Sequence, residues 1–210
     1  MSKTDTTYEW IKEKIISGEY SPLQDLSEDA IQKELGVSRT PVREALLRLE
    51  KEDFIYVYPR KGTIVTDVTR DLIDEIYEVR LLNEPYIAVR VMNLLDRDWL
   101  EDIRLRLKQP PAHLTQAQLR TYHIQLDTEL HSTMINRYPN RYLRRIMKAV
   151  FDQNQRIRMV CSHPGQGIDH SPEEHLEIVT NILEGDPEKV RKSVVNHIKQ
   201  SRIVTNESFR

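Results

Sequence analysis

The chain has 210 residues, a formal net charge of −2, 39% hydrophobic residues and 30% charged residues. This composition predicts a folded protein of two small domains and excludes a disordered chain. No apolar run approaches the roughly 20 residues that span a bilayer, and the polar stretch Met1–Thr7 does not resemble a signal peptide, so we expect a cytoplasmic protein. The single cysteine, Cys161, excludes an internal disulfide and fits a reducing compartment.

Three short helices are predicted in the first 50 residues. The first covers about 7–17 and ends at Gly18. Ser27 is placed to cap the second helix, which stops at Gly36. Ser38 is expected to cap the third helix, whose buried face is predicted from apolar residues at helical spacing: Val42, Ala45, Leu46 and Leu49.

A β-hairpin is predicted after the third helix. Residues 54–58 are rich in aromatic and β-branched side chains, and 63–66 form the second strand after the turn 59–62. Helices and hairpin in this order are typical of a winged helix-turn-helix DNA-binding domain. Arg60 and Lys61 at the hairpin tip are predicted to reach the minor groove or the DNA backbone.

The start of the third helix carries the side chains that favour DNA reading. In a winged helix-turn-helix this turn enters the major groove, and here it contains Ser38, Arg39, Thr40 and Arg43. Arg39 and Arg43 share one face because they are four residues apart, and arginine can contact guanine with two bonds or grip a phosphate. Arg48 lies on another face and is expected to be structural. A solvated basic face is the alternative for any one arginine, but the ordered set favours DNA binding.

The rest of the chain is predicted to be helical, since no strand pattern recurs after Thr66. The predicted helices cover about 70–95, 97–108, 115–137, 140–160, 172–184 and 187–204. The fold class is therefore mainly α, with a winged helix-turn-helix domain over 1–68 and an all-α helical bundle over 69–210.

Four polar residues interrupt the apolar stripes of three of these helices. Asp127 and His131 are four residues apart on one helix, and His175 and His197 continue the stripes of two others. Imidazole and carboxylate groups together suit zinc, nickel, manganese or iron, and four protein ligands leave coordination positions for water or a small anion. Each histidine alone would more simply be a hydrogen-bonded core residue, and His123 is a rival ligand on spacing alone.

Arg80 is a second charged residue on an apolar stripe, and a buried arginine needs a partner. Glu84, one helical turn later, is the simple partner. A ligand carboxylate is the functional alternative, because it matches a guanidinium with two bonds. Spacing alone does not choose between them.

Two segments of the N-terminal third carry a family resemblance. They are Leu35-Gly36-Val37-Ser38-Arg39-Thr40-Pro41-Val42-Arg43-Glu44-Ala45-Leu46 and Pro59-Arg60-Lys61-Gly62. These segments resemble the GntR family of bacterial regulators, which implies that Arg39, Thr40 and Arg43 contact DNA and that Gly62 lies near the minor groove. The sequence departs from the family pattern where Leu23 and Asp53 replace usual glycines and where Asp29 replaces a frequent basic residue.

The remaining chain resembles the FadR-type C-terminal ligand-binding domain (the FCD domain) of the same family, in its shorter six-helix variant. The matching segments are Arg80-Leu81-Leu82-Asn83-Glu84, Asp127-Thr128-Glu129-Leu130-His131, Glu174-His175-Leu176-Glu177-Ile178 and Gly185-Asp186 with the later His197. The resemblance implies that Asp127, His131, His175 and His197 hold a divalent metal and that Arg80 holds a small carboxylate effector. We expect zinc or nickel at this site, and a homodimer that binds palindromic double-stranded DNA.

Three alternatives stay open at this point. The metal itself could be the signal that changes DNA affinity. The C-terminal domain could be a dimer scaffold with a structural metal. A metalloenzyme is the least favoured, because only Glu174 and Glu177 lie near the ligands in sequence as possible bases.

Overall fold

The computed structural model describes residues 2–58, 62–161 and 172–209. These residues divide into two compact units. The N-terminal unit reaches to Leu72 and also includes Asp152–Val160, while the C-terminal unit contains the described residues of Ile73–Phe151 and Cys161–Arg210. The boundary expected between residues 68 and 69 stays a prediction.

The N-terminal unit is a winged helix-turn-helix, as the sequence predicts. Its elements are α1 (Lys3–Ile16), β1 (Asp25–Leu26), α2 (Glu28–Leu35), α3 (Arg39–Glu50), β2 (Ile55–Tyr58) and β3 (Gly62–Val65). The strands form an antiparallel sheet in the order β1-β3-β2, with Tyr56 opposite Ile64. The predicted inner face of α3 is confirmed, since Val42, Ala45, Leu46 and Leu49 are buried together in the core of this unit.

Local capping explains where these helices begin and end. Helix α1 starts at Lys3, before the predicted residue 7, because Ser2 and Asp5 form a reciprocal capping box. Ser27 caps α2 through Ala30 N, and Gly36 ends it in the left-handed conformation with φ of 62°. The prediction that Ser38 caps α3 is wrong in one respect: Ser38 occupies the N-cap position, but its side chain makes no cap hydrogen bond.

Two departures from the family pattern fall where the backbone is unfavourable for ordinary side chains. Leu23 has φ of 64° and Asp53 has φ of 60°, both in the left-handed region. Glycine adopts this region without steric penalty, whereas a leucine there is strained. Asp53 follows α3 at the point where the chain turns into β2, so the turn is made without the usual glycine.

The last part of helix α7 (Arg141–Cys161) belongs to the N-terminal unit. Gln153 Nε2 donates to Glu52 O at 2.8 Å, and Arg156 Nη1 donates to Thr66 Oγ1 at 2.9 Å. The buried Lys12 ammonium pairs at the same time with Glu52 and Asp152, at 2.7 and 2.6 Å. The tail of this long helix is therefore fixed to α1, to the turn after α3 and to Thr66, which follows β3.

The C-terminal unit consists of helices wherever the structure describes it, as the sequence predicts. Besides the first part of α7 they are α4 (Arg70–Val91), a short 3₁₀ turn (Met92–Leu94), α5 (Arg97–Lys108), α6 (Gln116–Arg137), α8 (Pro172–Glu184) and α9 (Pro187–Ser208). The predicted helix over 70–95 ends as an α-helix at Val91, and the last helix runs four residues past the predicted residue 204. In the described part of the chain, every helix is too short or too polar to cross a membrane.

The core of the C-terminal unit is built from the apolar stripes seen in the sequence. Leu130, Ile178, Val179 and Val194 are each completely buried. Helices α4 and α9 are also joined by polar contacts, because the Tyr77 hydroxyl lies 2.8 Å from both Ser201 Oγ and Thr205 Oγ1. These helices place the candidate metal ligands in the interior of the unit.

Candidate DNA-reading surface and metal centre

The first turn of α3 presents two arginines to solvent. Arg39 and Arg43 are each 58% exposed. Both donate from Nε to the same atom, Glu28 Oε2, at 3.2 and 3.1 Å. Glu28 lies in the first turn of α2, where the helix dipole favours a carboxylate. Because each bond uses Nε, the Nη groups stay available for a base or a phosphate.

The other predicted DNA-binding residues flank these arginines. Ser38 and Thr40 are exposed at the start of α3. A groove of about 400 Å³ separates α3 from the hairpin and is lined in part by Arg43 and Gly62. Gly62 has φ of 119°, a conformation that favours glycine. Arg60 and Lys61 lie outside the described residues, so their role stays a prediction.

Arg48 is structural, as its position on another face of α3 predicts. Its Nη1 donates to Asp5 Oδ1 at 2.9 Å, and its guanidinium lies 3.9 Å from the centre of the Tyr8 ring. Arg48 therefore links α3 to α1.

The C-terminal unit brings the four predicted metal ligands together. Asp127 and His131 come from α6, His175 from α8 and His197 from α9, and none is more than 2% exposed. One ligand atom from each residue lies within 4.8 Å of the other three. From Asp127 Oδ1, the distances to the Nε2 atoms are 2.9 Å for His175, 3.9 Å for His131 and 4.0 Å for His197. We call this set the Asp-His₃ cluster.

The Asp-His₃ cluster has the donors and spacing of a metal site. Bonds of about 2.1 Å from imidazole or carboxylate to zinc place neighbouring ligand atoms roughly 3–3.5 Å apart. The distances from Asp127 Oδ1 to His131 and His197 need only a small contraction to reach this range, and the 2.9 Å distance to His175 needs a slight lengthening. His131 Nε2 is buried and has no hydrogen-bond partner among the described residues, which is unfavourable unless something else binds it. A divalent cation would satisfy that nitrogen.

Carboxylates stand behind two of the three histidines. Glu84 Oε2 lies 2.7 Å from His131 Nδ1, and Glu174 Oε2 accepts a hydrogen bond of 3.0 Å from His197 Nδ1. Metal-binding histidines commonly donate their second ring nitrogen to a carboxylate, which fixes the tautomer and directs the other nitrogen to the metal. Burial raises the pKa of Glu174. This contact gives Glu174 a supporting position behind a ligand.

Arg80 is completely enclosed beside the cluster. It is 1% exposed, and its Nε donates to Glu84 Oε1 at 2.6 Å, so the simple partner weighed from the sequence is present. Its guanidinium also lies 5.1 Å from the Tyr77 ring centre and 5.6 Å from that of Phe151. Burial is the largest influence and acts to raise the pKa of Glu84, but the charge of Arg80 and the contacts with Arg80 and His131 together outweigh it and hold that pKa at about 2. The pair is therefore ionised.

Two further histidines of the described residues stand apart from the cluster. His123, the rival ligand on spacing, is half-buried and packs beside Tyr122 on α6. It is not among the four residues whose ligand atoms converge. His113 is exposed in a loop. His163 and His170 lie outside the described residues.

Three carboxylates beside these two sites do not follow from the sequence patterns. Spacing does not link Glu28 to the arginines, and it indicates Glu84 only as a partner of Arg80. Glu174 follows from the sequence only as a possible catalytic base. A usable signal existed for Glu84, because an acidic residue on a buried helical stripe must have cationic or hydrogen-bonding neighbours. The neighbours of Glu28 and Glu174 depend on how separate helices pack, which spacing does not reveal.

Comparison with known protein families divides the chain in a similar way. Residues 3–65 match the model of bacterial regulatory proteins of the gntR family. Residues 75–200, more than half of the chain, match the FCD domain.

Similar proteins agree with these two matches. The uncharacterized HTH-type transcriptional regulator YdhC of Bacillus subtilis (strain 168) is 27% identical over 194 residues, which cover 90% of this chain and 85% of YdhC. Among solved structures, E. coli McbR/YncC has a TM-score of 0.81 with 21% identity and full coverage of both chains. The Zn²⁺-bound FCD domain of TM0439 has a TM-score of 0.55 with 18% identity, over 67% of this chain and 96% of that domain.

Proposed function

The chain belongs to the gntR family of bacterial regulatory proteins and carries an FCD domain, and from this we propose that a small carboxylate, bound at a metal in the C-terminal unit, changes its affinity for DNA. The observation that carries the proposal is the convergence of the buried Asp-His₃ cluster. The protein is a transcriptional regulator with a DNA-binding domain. The metal, the effector and their influence on DNA binding are the proposed steps.

On the DNA side, we assign base and backbone contacts to the start of α3 and to the wing. Arg39 and Arg43 are exposed and held side by side on Glu28, which favours contacts to guanine or phosphate. Ser38 and Thr40 supply hydroxyl groups beside them, and Gly62 lies across the groove. Arg60 and Lys61 follow from the sequence alone. The site of action is the cytoplasm, where bacterial DNA lies.

We assign the metal to Asp127, His131, His175 and His197. The donor set of three imidazoles and one carboxylate suits zinc or nickel among the divalent cations. The FCD domain of TM0439 is described as Zn²⁺-bound, and its fold resembles the C-terminal unit. A metal with four protein ligands can keep open coordination positions, where carboxylate oxygens bind well.

We assign the effector carboxylate to the open metal position and to Arg80. The guanidinium donates from Nε to Glu84 Oε1. A second anion beside Arg80 would therefore share the guanidinium with Glu84. Binding of this kind changes DNA affinity only to the extent that the ligand prefers one arrangement of the protein over another.

A homodimer fits both the palindromic operator and the surface of the C-terminal unit. Helix α4 exposes Leu82 and Tyr86 one turn apart, and α7 exposes Tyr142 and Ile146 one turn apart. Exposed apolar side chains in such pairs are typical of protein–protein interfaces. Two copies would present two α3 helices to the two halves of an inverted repeat.

The proposal is tested by a thermal-shift screen of zinc-loaded and nickel-loaded protein against small mono- and dicarboxylates. At 100 times its Kd, a ligand adds about 2.7 kcal/mol of stability. The expected result is a shift that needs the metal and disappears in Arg80→Met, which retains most of the side-chain volume. No shift with any carboxylate, in either metal-loaded form, would overturn the carboxylate proposal and leave the metal itself as the candidate signal.

A further inference from the structure

One buried carboxylate contacts both the candidate effector residue and a candidate metal ligand. Glu84 Oε1 accepts from Arg80 Nε at 2.6 Å, and Glu84 Oε2 lies 2.7 Å from His131 Nδ1. All three side chains are at most 2% exposed. Each oxygen of Glu84 thus faces a different neighbour. Oε1 is hydrogen-bonded to Arg80, whereas Oε2 and His131 Nδ1 are in contact at 2.7 Å without the alignment of a hydrogen bond, and neither of these two atoms has another hydrogen-bond partner among the described residues.

The contact with Glu84 determines which nitrogen of His131 can bind a metal. A neutral imidazole has one N–H donor and one lone pair. A carboxylate beside Nδ1 favours the proton on that nitrogen, so the lone pair lies on Nε2. His131 Nε2 is the atom that faces Asp127 Oδ1, at 3.9 Å.

The surroundings of His131 hold its ring in this orientation. The ring stacks on His197 with a centroid distance of 5.1 Å and an interplanar angle of 29°. On another side it packs against Phe151, at a centroid distance of 5.6 Å. Because His131 is completely buried, its orientation depends on these few neighbours, and Glu84 is the charged one that contacts Nδ1.

We propose that Glu84 is a positioning residue of the metal centre, which sets metal affinity by fixing His131 with Nε2 toward Asp127. The inference rests on the metal centre of the proposed function and extends it. Arg80 then has a second role, because it supplies the positive charge that a buried carboxylate needs. The residue assigned to the effector and a metal ligand are joined through a single side chain.

Metal affinity of the full-length protein tests this role. Metal-free protein is titrated with Zn²⁺ and with Ni²⁺ in competition with a chromophoric chelator. We expect Glu84→Gln to bind both metals about 10–100-fold more weakly, the range found when a carboxylate behind a metal-bound histidine is removed. The visible absorption of the Co²⁺-loaded variant should also change, because one ligand is less well oriented. The control is Glu78→Gln, an exposed carboxylate on the same helix, which should keep wild-type affinity.

A second variant keeps the test decisive if Glu84→Gln does not fold. Glu84→Asp retains the charge beside Arg80 but is one methylene shorter, so it draws away from His131 and should also weaken metal binding. If either variant binds metal as tightly as the wild type, Glu84 is only a structural partner of Arg80 and the inference is overturned. This holds even if the metal-free form of that variant melts at a lower temperature. Wild-type protein that binds neither metal would overturn the metal centre and the proposed function together.

Discussion

Glu28 offers the sharpest test of the proposed DNA-reading surface, because an acidic residue there would lie close to a polyanion. Its Oε2 accepts hydrogen bonds from both Arg39 Nε and Arg43 Nε. If this carboxylate orients the two guanidiniums, its removal should reduce sequence discrimination. Removal of this negative charge should at the same time raise the affinity for DNA of any sequence.

The magnitudes follow from what one well-placed arginine contributes. A good bidentate contact from arginine to guanine is worth about 1–3 kcal/mol of discrimination. Loss of orientation at one of the two arginines in Glu28→Gln should therefore lower the ratio of operator to non-specific affinity by about 5–150-fold. The Glu28 side chain is 28% exposed and lies next to solvent-facing arginines. Loss of its charge in Glu28→Gln should therefore raise the affinity for non-specific DNA, but by a smaller factor than the loss of discrimination.

The assay is fluorescence anisotropy with two duplexes at several salt concentrations. One duplex is selected by the protein from a random pool, and the other is the same sequence scrambled. Asp29→Asn is the matched control, because Asp29 is the next residue in α2 and contacts Gln32 instead of either arginine. Both variants should bind the scrambled duplex more tightly, while only Glu28→Gln should lose discrimination. Equal discrimination in the two variants would mean that Glu28 acts as bulk charge and would refute the reasoning.

Four further predictions concern stability and reactivity. Lys12→Met should lower the unfolding free energy by about 2–4 kcal/mol, since it strands two partly buried carboxylates, and a change below about 0.5 kcal/mol in denaturant titration would contradict this. Leu23→Gly should raise the melting temperature, because glycine relieves backbone strain of about 1 kcal/mol at this positive φ. Little packing is lost, since Leu23 is 61% exposed. A melting temperature equal to or below that of the wild type would argue against strain at this position. Cys161 should resist iodoacetamide at pH 8 until the protein unfolds, because burial raises the pKa of its thiol to about 11, and rapid alkylation of folded protein would contradict that burial. The pKa of Glu84 is lowered from 4.5 to about 2, so its contribution to the stability of the metal-free protein is present above pH 4.5 and is lost as the pH falls toward 2. In denaturant titrations between pH 4.5 and 2, the unfolding free energy should therefore fall less steeply for Glu84→Gln than for the wild type.

Helical periodicity and chain breakers made most of the architecture predictable. The helices of the C-terminal unit were found within a few residues, because Gly185 and the proline-containing loops interrupt clear apolar stripes. The Asp-His₃ cluster could be predicted for a related reason. Polar residues on buried stripes of several helices must converge on a shared interior, and the family resemblance selected His131 over His123.

Contacts between segments that are distant in the sequence could not be predicted from sequence patterns. Strand β1 has only two residues and exists because Asp25 and Leu26 pair with β3, so no periodicity announces it. The start of α1 depends on one capping box at Ser2. The link between Glu84 and His131 joins residues 47 positions apart, and it follows from how α4 packs beside α6 rather than from spacing.

The central claim is that a carboxylate at the metal centre changes DNA affinity. The direct measurement is the Kd of the selected duplex at one fixed salt concentration, for metal-free protein, zinc-loaded protein and zinc-loaded protein with each carboxylate that shifts its melting temperature. At least one carboxylate should change this Kd by about 5-fold or more, the lower end of ordinary coupling between two sites. The change should vanish in His131→Ala and in Arg80→Met. A Kd that stays the same with every stabilising carboxylate would contradict the account.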